Sequence, residues 1–162
     1  CGIAKGFGVD RLADVLRAQG LTSFLVAIDG EVVAGEAPLS GGGWTLGIER
    51  PDYLSQRVYQ SLSLTGKAIA TSGNFRHFRD VGGLRFAHTM DAATGWPTDS
   101  DLASVSVVHE RCMDADAWAT ALLVKGSDQG VAFAEDQGLA ALFLMLDEGE
   151  LIEYRTRAFS TL

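Results

Sequence analysis

Apolar positions change period along this chain, and each change marks an element. Phe7, Val9, Leu12, Ala13, Val15 and Leu16 recur at helical spacing. A helix is therefore expected over roughly 6–18, with Gly20 as its C-terminal stop. "SFLVAID" is a short apolar run that predicts a buried strand. Asp29-Gly30 is a hairpin turn signal, and "EVVAGE" is the return strand. "SGGG" at 40–43 reads as a loop. "WTLGIE" alternates as a strand does, and Pro51 stops it. "RVYQSLSLTG" carries period two in shifted register, from Val58 to Ser61, Leu62, Ser63 and Leu64. "KAIATSG", "GGLRFAHTMD" and "LASVSVVHE" predict further strands with turns between them. The period then lengthens again. "MDADAWATALLVKG" places Ala117, Trp118, Ala121, Leu122 and Val124 on a helix closed by Gly126. "SDQGVAFAEDQG" predicts a second short helix, with Ser127 as N-cap and Gly138 as stop. "LAALFLML", a turn at 147–150 and "LIEYR" form a terminal hairpin. Strand groups and helices are segregated, so the class is α+β, with mixed or antiparallel sheets and a few packed helices.

Composition narrows what such a domain can do. At 162 residues with 47% hydrophobic content, 1–162 is expected to form one domain with a core. The formal charge of -8 argues against a nucleic-acid partner, which needs a basic face. It argues equally against a basic membrane-surface helix. The 19 glycines are scattered among ordered segments and read as turns and close backbone approaches. Cys1 and Cys112 make neither a disulfide framework nor a metal-type spacing. The run at 139–146 is too short to span a bilayer.

Three features suggest chemistry. Asp116 and Thr120 are four residues apart and share a helix face. Both are hard oxygen donors suited to Mg²⁺ or Ca²⁺. The same spacing is common on solvated helices, but "ADAWATALL" is otherwise apolar. Asp116 should be partly buried and need a partner or a cation. "GIAKGFG" sets Lys5 among glycines ahead of a helix, where backbone N–H groups and an ammonium can face a phosphate, although it is not a Walker A loop. "AHTMDAATGWP" places His88, able to act as acid or base near neutrality, three residues before Asp91 and a turn. His77 lies between arginines and reads as a surface residue. His109, beside Glu110 and Arg111, reads as structural.

"GIAKGFGVDRLADVLRAQG", "WTLGIERP", "ATSGNFRHF", "HTMDAATGWP" and "DADAWATALLVKG", in this order, resemble the blocks of the ApbE-type flavin transferases, the FAD:protein FMN transferases. The resemblance runs through essentially the whole chain. It implies the T-fold-like architecture of that family. Its members are about twice this long, so the chain is expected to correspond to their later half, beginning inside the glycine-rich block. Cys1 would then be a mid-chain position and not a lipoprotein N-terminus. The missing N-terminal half becomes an expected partner, because in the family it contributes FAD contacts.

The resemblance also assigns roles. Mg²⁺ would be held by Asp116, Thr120 and, by position, the Gly2 carbonyl. Lys5 and Met90 fall on FAD contacts, and Thr71, Ser72 and Gly73 lie in the turn beside FAD. His88 falls on the histidine associated with acid/base work, with Asp91 near it. The implied reaction is Mg-dependent transfer of FMN from FAD to a Thr or Ser hydroxyl of an acceptor flavoprotein, with release of AMP. The alternatives are an FAD pyrophosphatase and a non-catalytic flavin-binding maturation factor. Homo-oligomer formation stays open. A periplasmic or membrane-associated location is what the resemblance implies. The chain departs from the family pattern in reading Asp91-Ala92 where Asp-Pro is usual, and Asp29-Gly30 where Gly-Gly is frequent.

Overall fold

The computed structural model describes residues 2–52, 55–75, 78–82, 84–147 and 150–162, with 78–81, 84 and 85 described by backbone alone. Cys1 and His77 lie outside the described residues. The first helical pattern forms α1 (Ala4–Ala18), which begins two residues before the expected start. Lys5 is thus inside the first turn and not ahead of the helix. The glycines are tolerated there because α1 packs closely on α2 (Cys112–Asp136). A Cβ added at Gly6 would meet the Cys112 carbonyl oxygen at 2.4 Å. Only part of the apolar set in α1 is buried. Val9 and Ala13 are fully covered, whereas Phe7, Leu12 and Val15 are exposed, because α2 and the first strands cover one face alone.

The strands are β1 (Leu25–Ile28), β2 (Glu31–Ala34), β3 (Trp44–Glu49), β4 (Val58–Leu64), β5 (Ala68–Gly73), β6 (Phe78–Val81), β7 (Leu84–Ala87), β8 (Leu102–His109), β9 (Ala140–Asp147) and β10 (Glu150–Arg155). Six of them form one sheet in the order β1-β2-β5-β8-β9-β10, with every neighbouring pair antiparallel. β1 was expected to be buried. It is an edge strand with Leu25 and Ile28 exposed, since pairing on one side only leaves it at the rim. β6 carried no strand signal in the sequence and is formed by pairing with β7.

Side-chain alternation gives the sheet two working faces. Ala70, Val105, Val107, Ala141 and Phe143 pack against Ala115, Ala119, Leu122 and Leu123 of α2. Ile69, Val108, Leu142 and Leu144 face the other way, onto Ile48, Leu62 and Leu64 of the β3–β4 hairpin and onto Phe159. The molecule is therefore layered as helices, sheet and hairpin. The Tyr59 hydroxyl donates to Glu153 and ties the hairpin to β10.

Helix α2 contains a kink at Gly126, whose φ of 75° and ψ of 177° leave the helical region. The second half does not use the Ser127 hydroxyl as its cap. Asp101 caps it instead, accepting from the Ser127 N–H at 2.9 Å and from the Ser127 hydroxyl. Among the described residues, no helix is long and apolar enough to cross a membrane.

Candidate active site

A break in the sheet ladder opens the site. β2 pairs with β5 only through Val32–Ile69 and Val33–Ala68, while β5 runs on to Gly73. The Ala34 N–H donates to the Lys67 carbonyl on the β2 side, and the Asn74 N–H donates to Ala103 on the β8 side. By antiparallel alternation, the backbone groups of Thr71 and Gly73 point past the end of β2. The space beyond is a cleft of about 1100 Å³. Its size lies slightly above the ~300–1,000 Å³ typical of small-molecule sites.

Several elements line it. Gly2, Ala4 and Lys5 come from the entry to α1 and its first turn, Asp29 and Gly30 from the β1–β2 turn, Glu31 and Val32 from β2, and Thr71 to Gly73 from β5. Leu46 and Ile48 of β3 add an apolar wall, His88 to Met90 form the opposite rim, and Asp116 and Thr120 enter from α2. Nearly all the residues singled out in the sequence thus meet here. Asp91 is the exception. Its carboxylate accepts from the Ala93 N–H at 2.9 Å and from the Thr94 hydroxyl at 3.3 Å, closing the turn that follows His88. The Asp91 N–H donates to Trp96 and the Thr98 N–H to Thr89, so this turn fixes the His88–Met90 segment at the rim even with Ala92 in place of proline.

Asp116 is 3% exposed, more deeply set than its spacing implied. Its Oδ2 accepts the Gly6 N–H at 3.0 Å. Thr120 and Ser72 share a hydroxyl hydrogen bond of 2.9 Å, and Thr71 pairs with Ser106 at 2.7 Å. A Cβ at Gly2 would fall 2.2 Å from Thr120 Oγ1, so the Gly2 backbone lies directly against that hydroxyl. A buried carboxylate, a hydroxyl and an adjacent main chain form an all-oxygen set that could hold a hard divalent cation. Among the described residues, no cluster of three or more His, Cys, Asp and Glu side chains is formed. Any cation here would draw on one carboxylate with backbone, hydroxyl and ligand oxygens.

Lys5 points into the cleft on the same side. Its Nζ lies 3.1 Å from Glu31 Oε2 and 3.8 Å from Asp29 Oδ2. Glu31, 1% exposed, was not marked by sequence reasoning. Burial pushes its carboxyl up from the ordinary value, against the lowering effect of Lys5. A legible signal existed. Strand alternation puts Glu31 on the face of Val33, which packs on α1. His109 is structural, as expected: its Nδ1 accepts the Arg111 N–H at 3.3 Å and stands 3.7 Å from Asp114.

Comparison with known proteins follows the same lines. Residues 1–143 match the sequence model of a family described as the ApbE family. A Vibrio cholerae protein named FAD:protein FMN transferase is 36% identical over 157 residues, covering 97% of this chain and 47% of the relative. The solved flavin transferase ApbE from the same species superposes with a TM-score of 0.87 at 34% identity, over 99% of this chain and 51% of that one. The apo flavinyl transferase ApbE of Pseudomonas stutzeri gives a TM-score of 0.86 at 35% identity, over 99% and 50%. The chain spans about half the length of the curated relatives it matches.

Proposed function

The chain belongs to the ApbE family, and from that membership and the cleft we propose that it serves the transfer of FMN from FAD to a Thr or Ser hydroxyl of an acceptor flavoprotein, with AMP leaving. One observation carries the reading. Gly2, Lys5, Thr71 to Gly73, His88, Met90, Asp116 and Thr120 come from four separate blocks of sequence and line one cleft. The activity belongs to a protein that also has the part of the family architecture this chain does not span. A periplasmic or membrane-associated setting is part of the proposal.

In this reading the acceptor hydroxyl oxygen bonds to the FMN phosphorus. The pyrophosphate P–O bond breaks, and AMP carries away the electron pair. His88, at the cleft rim, takes the hydroxyl proton. Lys5 supplies an ammonium to the phosphates. Asp116, Thr120 and the Gly2 main chain would hold Mg²⁺, which neutralises charge on phosphate oxygens when bound. Asp91 acts through the turn that holds His88 in place. Leu46 and Ile48 give the flavin an apolar surface.

The test uses the full-length protein, an acceptor peptide carrying Thr, and in-gel fluorescence of covalent flavin. His88→Ala is expected to slow transfer by about 10²–10⁴-fold while sparing FAD affinity. Near wild-type transfer would remove His88 from the acid/base role. Loss of affinity together with rate would make it a cofactor-positioning residue. FMN and AMP released without labelled peptide would identify a pyrophosphatase.

A further inference from the structure

Glu31 poses a puzzle. It is a buried carboxylate in the wall of a cleft read as a phosphate site, where a negative charge repels the ligand. Among the described residues, the titratable groups that face it are Lys5 from α1, Asp29 from its own turn, and Asp116 and Cys112 from α2. Lys5 is the cation among them. The Lys5–Glu31 contact is an ion pair at 3.1 Å, and among the described residues Glu31 Oε2 has no hydrogen-bond partner beyond that ammonium. A buried carboxylate is tolerated only when a partner offsets its lost hydration. The pair is asymmetric: the Lys5 side chain keeps 44% of its surface open, whereas Glu31 keeps 2%.

We propose that Glu31 is a positioning residue for Lys5, anchoring its ammonium from beneath so that the open side meets a pyrophosphate in the cleft. A lysine ammonium sits on a flexible four-carbon stem, and free of an anchor it spreads over many positions. Here the anchor is rigid. Glu31 pairs with Ile28 across the two-residue turn 29–30, in which Asp29 has φ 48° and Gly30 has φ 103°. The carboxylate therefore cannot follow the lysine outward. With Lys5 present, Glu31 assists anion binding. With Lys5 removed, the same carboxylate is a bare negative charge facing the ligand. An ordinary structural ion pair has no such reversal. The inference rests on the flavin-dinucleotide reading of the cleft.

The experiment is a double-mutant cycle on the full-length protein, with FAD as probe and riboflavin, which has no phosphate, as control. Glu31→Gln keeps the volume and removes the charge, and thermal melts verify folding of each variant. Glu31→Gln is expected to weaken FAD binding by about tenfold with Lys5 present, and to strengthen it by about threefold in the Lys5→Ala background. Riboflavin binding stays unchanged. If Glu31→Gln does not fold, Glu31→Asp takes its place. It keeps the charge but not the reach, so it weakens binding with Lys5 present and has no effect without it. Additive losses from Glu31 and Lys5, or equal losses for FAD and riboflavin, overturn the positioning role and leave the flavin reading intact. A wild-type protein that does not bind FAD overturns both.

Discussion

The Gly6 N–H donates to Asp116 Oδ2 at 3.0 Å, joining residues 110 positions apart. This bond connects the first turn of α1 to the carboxylate that α2 presents to the cleft. Packing and chemistry therefore depend on the same glycine. A methyl group at Gly6 would stand 2.4 Å from the Cys112 carbonyl oxygen and 2.8 Å from Asp116 Cβ. The first is main chain and cannot rotate away. Gly6→Ala is expected to destabilise the fold by about 1–3 kcal/mol. Urea unfolding measures it, and an unchanged midpoint would show that the helices are not in close contact there.

Asp10 provides the N-terminal cap of α2 from outside that helix. Its two carboxylate oxygens accept the Cys112 and Met113 N–H groups, each at 2.9 Å. Asp10→Ala leaves both donors unsatisfied next to the positive end of the helix dipole. The expected loss is about 1–2 kcal/mol, with an unchanged denaturant slope. Asp10→Asn, which retains one acceptor, should lose less. Equal stability of all three proteins would refute the cap.

A divalent cation at Asp116 and Thr120 should be sensitive to charge more than to shape. Asp116→Asn retains an acceptor for the Gly6 N–H and removes the carboxylate. Mg²⁺ titrations of the full-length protein with FAD present are expected to show a loss of metal affinity beyond the ~10–100-fold that follows from altering a ligand's supporting contacts. Identical titrations for wild type and Asp116→Asn would place the cation elsewhere.

The Cys112 thiol is fully buried, and burial pushes it up to about 12. Thiolate is the reactive form, so Cys112 should resist iodoacetamide at pH 8 in the folded protein and react once guanidinium unfolds it. Peptide mass spectrometry reads the site directly. Rapid native labelling at Cys112 would mean that the α1–α2 contact opens readily.

Glu31 has a raised carboxyl pKa in the folded state because burial penalises its charged form. The unfolded chain ionises it near the ordinary 4.5. Its contribution to stability is therefore fully present below that value and is lost as pH rises through the folded pKa. Glu31→Gln mimics the protonated form at every pH. The stability of wild type relative to Glu31→Gln should fall as pH rises from about 4 towards neutrality. Urea unfolding across that range checks the slope, and a rise would contradict it.

Local chemistry alone determined much of this protein. The period of apolar positions placed both helices and nearly every strand, because a 3.6-residue or two-residue repeat is needed to bury one face. The Asp29-Gly30 turn was legible because positive φ at consecutive positions favours glycine and aspartate. The spacing of Asp116 and Thr120 gave their common helix face. What the sequence left open is whatever depends on partners distant along the chain. It could not place β1 at an edge, since a sheet rim is a matter of strand order. It could not separate the buried Val9 and Ala13 from the exposed Phe7, Leu12 and Val15, because all five positions are apolar and only the neighbours of α1 distinguish them. Asp91 looked like a companion for His88, yet its carboxylate is occupied by its own turn, a local bond that sequence proximity does not distinguish from a catalytic pair. Glu31 and Lys5 show the physical reason most clearly. Lys5 reads as an ammonium facing a phosphate and alternation turns Glu31 inward, yet neither segment names the other as its partner. Only the packing of α1 on β2 removes water from one of them and brings the other to 3.1 Å.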